Sequence, residues 1–180
     1  EYGISRPYIL CLGRIEPSKG SDALLANHAT YRALAPDGLD LVMVGPKVMS
    51  LPDEPWLTAP GFVSEEEKHS ALAGATALVC PSPYESLSLV LLEAWSHGVP
   101  TLSASASAVL VGQSRRAGAG LWYSSAAEYA ACVDLLDRTP ALCRGLGRSG
   151  WRFTQNLDWS NVTDRLEAVI ARIAEQRGGR

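Results

Sequence analysis

Long apolar stretches are missing from this chain of 180 residues, and with them any segment able to cross a membrane as a helix. A dominant charge is missing too. Sixteen Lys and Arg against 19 Asp and Glu leave a net charge of −3, which excludes a broad footprint for nucleic acid or an anionic lipid surface. Any anion site must be local. Cysteine is scarce, with four residues (Cys11, Cys80, Cys132, Cys143) and no C-x-x-C pair. Those in YILCL and ALVCP sit among apolar neighbours, where a thiol behaves as a small hydrophobe, so the pattern suggests reduced, inert thiols of a cytoplasmic protein. No basic stretch followed by an apolar one opens the chain, so no signal peptide is visible. The first residue is Glu1 rather than Met, which suggests a piece of something longer.

Several catalytic signatures are absent as well. The three histidines (His28, His69, His97) have no second His or Cys three or four residues away, and there is no D-x-D pair, so no metal-ligand set is expected. No G-x-S-x-G elbow is present. Gly145-Leu-Gly-Arg-Ser-Gly150 spells G-x-G-x-x-G, but a polar turn and a helix start precede it where a dinucleotide fingerprint needs a strand. The stretch Gly13 to Gly20 lacks the second glycine of a Walker A loop, and Lys19 is followed by Gly20 rather than Ser or Thr.

What remains is a chain with 47% apolar and 19% charged residues, sufficient for one globular domain. Short apolar runs predict strands at Tyr8–Leu12, Leu39–Val44, Thr58–Val63, Thr76–Cys80, Thr101–Ser103 and Leu121–Tyr123. Between them, Leu24, Leu25, His28, Tyr31 and Leu34 share the face of one predicted helix. Ser64-Glu-Glu-Glu67 forms a capping box for a second, at about residues 65–74. Leu87–Ser96 predicts a third, stopped by Gly98 and Pro100, and a Gly- and Ala-rich connection comes after the fifth strand. Helices are also expected from Ser125 to about Asp137, near 141–155 and near 159–176, the last with Val162, Leu166, Val169, Ile170 and Ile173 on one stripe. Alternating strands and helices with long connections imply a doubly wound, mostly parallel α/β sheet with helices on both faces. Ligands in such sheets bind beyond the carboxyl ends of the strands.

Two loops at those ends carry chemistry. Gly13-Arg-Ile-Glu-Pro-Ser-Lys-Gly20 places Arg14 and Lys19 before a helix N-terminus, where free amides, a forked guanidinium and an ammonium suit a diphosphate. Glu85 and Glu93 stand eight apart; were the stretch between them helical, it would rise about 12 Å and turn through about 80°, leaving both carboxylates on related faces. Leu87, Val90, Leu91 and Ala94 could then face the core.

The combination of G-R-x-x-x-x-K-G after the first strand with P-S-x-x-E-S-L-S-L-V-L-L-E-A-x-S-x-G-x-P over residues 81–100 resembles the nucleotide-binding half of the group-one family of retaining GT-B glycosyltransferases. The likeness covers essentially the whole chain, and Trp159 before the last helix is similar to the family's closing segment. It implies a donor-binding domain, residues 1–180, of a Rossmann-like fold, with an N-terminal acceptor domain lying outside this chain. It further implies that Gly13, Arg14 and Lys19 bind the donor diphosphate, Glu93 the ribose and Glu85 the transferred sugar, with Glu85, Arg14 and Lys19 counted as catalytic. Phe62 and Val63 would lie against the base. Ser86, Leu87, Ser88 and Leu89 stand where the family has G-F-G-L, whose amides meet a phosphate, and the loss of both glycines alters the approach to the donor. Ser103 to Leu110 replaces a glycine pair and a glutamate, which weakens any inference about the sugar. The implied partners are a nucleotide-diphospho-sugar and an acceptor glycan, lipid or small molecule, with no nucleic acid, no metal and no other cofactor. The implied location is cytoplasmic, with the full-length protein able to sit at a membrane periphery. A non-catalytic nucleotide-binding module and a sugar-nucleotide epimerase of related architecture fit the same loops.

Overall fold

The computed structural model describes residues 4–155, 157 and 159–178. Its strands are β1 (Tyr8–Leu12), β2 (Asp40–Val44), β3 (Leu57–Gly61), β4 (Ala77–Cys80), β5 (Thr101–Ala104) and β6 (Gly120–Tyr123). They form one sheet in the order β3-β2-β1-β4-β5-β6, with every neighbouring pair parallel. The helices are α1 (Ser21–Leu34), α2 (Glu65–Gly74), α3 (Leu89–Ser96), α4 (Ala108–Ala117), α5 (Ala126–Arg138), α6 (Pro140–Thr154) and α7 (Trp159–Gly178), with a single 3-10 turn at Pro17–Lys19. The expected doubly wound α/β architecture is therefore present.

Alternation along the central strands builds a core on each face. Ile9, Cys11, Leu41 and Met43 join Leu24 and Tyr31 of α1 and Tyr129 and Val133 of α5. Tyr8, Leu10, Val42 and Val44 join Leu72, Leu91, Trp95 and Leu110 on the other side. Ser64 caps α2 as its sequence predicts, accepting from the Glu67 amide while Glu67 reaches back to the Ser64 amide. The G-x-G-x-x-G letters lie inside α6, where they serve close packing. A Cβ on Gly147 would stand 1.9 Å from the Gly98 carbonyl oxygen, and one on Gly150 would stand 2.7 Å from the Trp95 ring.

Four expectations need correction. Leu34, the last residue of α1, is exposed, although Tyr31 in the same turn is buried in the core. The third strand ends at Gly61, where φ of +93° breaks the extended run, leaving Phe62 and Val63 in the connection to α2. The connection after β5 contains α4, headed by Ser107, whose hydroxyl accepts from the Leu110 amide, and closed by Gly118. The third helix starts at Leu89 rather than Leu87, so Glu85 lies in a loop and the helical relation between Glu85 and Glu93 does not hold; Leu87 is exposed instead of core-facing.

Candidate functional site

Strand order reverses between β1 and β4, which is where an open parallel sheet leaves a crevice beyond its carboxyl edge. The loops after these two strands wall a cavity of about 230 Å³ there, lined by Gly13, Arg14, Lys19, Glu85, Leu87, Ser88, Leu89 and Val90 over a floor that includes Cys11 and Cys80. A larger cleft of about 750 Å³ runs beside Tyr8 and α2, but its charged lining is Glu66 and Glu67, which would repel an anion. Chemistry therefore favours the smaller one.

Gly20 makes the crevice narrow. It adopts φ of +76°, and a Cβ there would lie 2.5 Å from the Pro81 carbonyl oxygen, so only glycine lets the head of α1 reach the loop after β4. That approach brings Lys19 to Glu85, with Nζ donating to Oε1 at 3.1 Å. Arg14 pairs with Glu16 at 3.2 Å, and Ser18 also donates to that carboxylate. Both cations remain substantially solvent-accessible. On the opposite wall, Ser88 precedes α3 in an extended conformation and no side chain caps that helix, so its first amides keep their donor capacity.

The remaining sequence-derived residues are more dispersed. Glu93 faces a neighbouring hollow of about 440 Å³ that shares Leu89 with the crevice. Its carboxylate accepts from Lys68 Nζ at 3.4 Å, and Lys68 also holds Glu65 at 2.7 Å. These carboxylates, Glu65 first, raise the Lys68 pKa and keep it charged. Phe62 is almost fully exposed on the β3–α2 connection, with Val63 half-buried beside it. Ser86 is exposed on the loop and outside the crevice lining.

Sequence spacing missed three features. Gln113 of α4, buried, hydrogen-bonds the backbone of Ser88 from 25 residues away. His69 and His97, on separate elements, meet with Nδ1 and Nε2 3.1 Å apart, while His97 Nδ1 lies 2.9 Å from the Glu93 carbonyl. That carbonyl can only accept, so His97 Nδ1 carries a proton, and in the neutral pair His69 donates to His97. The third feature is the placement of Cys11 and Cys80 on the crevice floor. Burial pushes Cys11 up to about 12 and Cys80 up to about 11, so both are thiols rather than thiolates at neutral pH and are poor nucleophiles. Among the described residues no three His, Cys, Asp or Glu side chains gather to hold a metal ion, and no helix is long and apolar enough to cross a membrane.

Comparison with known proteins places this geometry in a family. A GDP-mannose-dependent α-(1-6)-phosphatidylinositol monomannoside mannosyltransferase of Mycobacterium tuberculosis is 29% identical, with 89% of this chain and 46% of the relative covered. The chain spans a little under half the length of the relatives it matches. The solved structure of HepE from Anabaena in complex with UDP superposes with a TM-score of 0.78 at 15% identity, covering 94% of this chain and 50% of that one. The C-terminal domain of a group 1 family glycosyl transferase, LpcC of Francisella tularensis, superposes with a TM-score of 0.69 at 18% identity, covering 84% of this chain and 87% of that one. Residues 6–137 match the profile of glycosyl transferases group 1, and the chain belongs to that family.

Proposed function

We propose that this chain is the donor-binding domain of a retaining glycosyltransferase that moves a hexosyl group from a nucleotide-diphospho-sugar to an acceptor hydroxyl, the acceptor being held by a further, N-terminal domain. The observation that carries the reading is the switch-point crevice, in which Arg14 and Lys19 face the uncapped head of α3. As the glycosidic bond breaks, negative charge collects on the leaving diphosphate. Arg14 and Lys19, once exchanged from Glu16 and Glu85, would stabilise that charge together with the α3 amides. In this reading Glu85, released from Lys19, accepts from sugar hydroxyls, and Glu93 accepts from the ribose. Phe62 and Val63 flank the base.

The named relatives support this donor class from two directions, since one uses GDP-mannose and a structural neighbour holds UDP. Base, sugar and acceptor are therefore to be determined by screening. Thermal shift of the chain against UDP, GDP and their sugar conjugates is the test, because a ligand at 100 times its dissociation constant adds about 2.7 kcal/mol of stability. A clear shift with one nucleoside diphosphate is expected, and none at millimolar concentration would reject the reading.

A further inference from the structure

Gln113 is a polar side chain with 3% exposure. Its amide grips both backbone groups of Ser88: the Ser88 N–H donates to Oε1 at 3.1 Å, and Nε2 donates to the Ser88 carbonyl at 3.5 Å. Ser88 itself is buried, with 3% exposure. Both backbone polar groups of Ser88 are thus engaged within the protein. A glutamine amide matches a peptide group donor for acceptor; the Ser88 carbonyl, at the N-cap, also receives the first bond of α3, so an apolar residue at 113 would leave the buried Ser88 N–H unpaired.

The head of α3 gives this lock a use. The Ser88 peptide is held at φ −91° and ψ 100°, and α3 begins one residue later, with Leu89 and Val90 lining the crevice beside Lys19. With no side-chain cap on that helix, the direction of its first amides is set by the peptide that leads into it. We propose that Gln113 is a positioning residue for the donor diphosphate, locking the Ser88 peptide so that the Leu89 and Val90 amides aim into the crevice flanked by Arg14 and Lys19. This rests on the donor-site reading of the crevice. It also accounts for a serine where the family pattern has glycine: the Ser88 side chain turns inward and its backbone is held from behind, away from the ligand.

The test is titration calorimetry of the chain with UDP, GDP and the matching nucleosides, using wild type, Gln113→Met, Gln113→Glu and Leu89→Pro. Methionine fills the same volume and removes both hydrogen bonds, whereas glutamate keeps an acceptor for the Ser88 N–H. Proline at position 89 deletes one amide yet suits the first helical position and the extended residue before it. Gln113→Met is expected to weaken nucleoside diphosphate binding about tenfold, a loss of about 1.4 kcal/mol, with nucleoside binding unchanged. Gln113→Glu should recover part of the loss. Leu89→Pro should cost a similar factor and add little on top of Gln113→Met. A folded Gln113→Met with full diphosphate affinity, or one that loses nucleoside and diphosphate equally, overturns the inference. If Gln113→Met does not fold, undiminished diphosphate affinity in Leu89→Pro overturns it instead. Wild type that binds neither diphosphate overturns the donor-site reading itself, a result distinct from both.

Discussion

Lys19 and Arg14 reach the crevice with carboxylates already attached, Glu85 and Glu16 respectively. Partly exposed pairs of this kind contribute about 0–1 kcal/mol, so a doubly charged diphosphate can displace them at little cost. Arg14→Ala and Lys19→Ala should each weaken nucleoside diphosphate binding by about 1.5–3 kcal/mol, the range for hydrogen bonds to charged groups, and calorimetry with the bare nucleoside should show no change. Equal losses for both ligands would mean that the substitutions act through the fold. The two glutamates should separate in the same experiment, because they occupy neighbouring hollows. Glu93→Gln is expected to weaken the nucleotide itself by about 1 kcal/mol, and Glu85→Gln to spare it while weakening only the sugar-bearing donor. The reverse pattern would exchange their roles. Either glutamine variant should unfold within about 1 kcal/mol of wild type, since neither carboxylate is buried in the core.

Among the elements, α6 sets Leu146 and Phe153 against the two cores, and its glycines let it approach α3 closely. Gly147→Ala would drive a methyl into the Gly98 carbonyl, backbone against backbone, and should cost about 1–3 kcal/mol in denaturant unfolding. Gly145 points into open space on the same helix, so Gly145→Ala should instead be neutral or gain up to about 1 kcal/mol. If the two behave alike, close packing is not what fixes α6. The same contrast shows what the sequence can reveal. Buried parallel strands are short apolar runs such as Tyr8–Leu12 and Ala77–Cys80, and local composition exposes them. Capping boxes are equally local, which is why α2 is visible from Ser64 and Glu67. α4 is hidden because Ser, Ala and Gly dominate its approach and only Leu110 and Ala117 supply buried apolar anchors. The start of α3 is hidden for a different reason. Leu87 and Ser88 suit a helix locally, but Gln113 claims the Ser88 backbone from another element, and no window around residue 88 contains that information. Candidate site residues are legible as chemistry, while their pairings, Lys19 with Glu85 and Lys68 with Glu93, require the topology.

At the scale of the whole molecule, stability and activity draw on different parts. One face of the sheet buries His28 completely, against Tyr129 at 2.9 Å and beside Trp56, and its Nε2 has no partner. Burial first, then Arg32, pull its pKa down to about 3. Between that value and the ordinary 6.5 the unfolded chain binds a proton that the folded one refuses, so stability falls as pH drops through this window, by up to about 1.4 kcal/mol per unit. Unfolding free energies at pH 7.5 and 5 should therefore differ by about 2 kcal/mol more in wild type than in His28→Gln, and an equal difference would remove His28 as the cause. In the proposed reading, activity depends instead on the open edge of the sheet. The crevice would present the proposed donor site to solvent, and transfer needs an acceptor oxygen held within about 3–3.5 Å of the sugar carbon with water excluded. In that reading Arg14, Lys19, Glu85 and Glu93 serve only the donor side of that geometry. Residues 1–180 alone are expected to bind the nucleotide and transfer no sugar, whereas the chain joined to an N-terminal α/β domain that completes the cleft should transfer it without added divalent metal. Radiolabelled sugar transfer with and without a chelator decides the matter. Turnover by the 180 residues alone would show that the acceptor site lies within them. Loss of joined-chain activity on chelation, with donor binding intact, would show that Arg14, Lys19 and the α3 amides do not suffice for the leaving diphosphate.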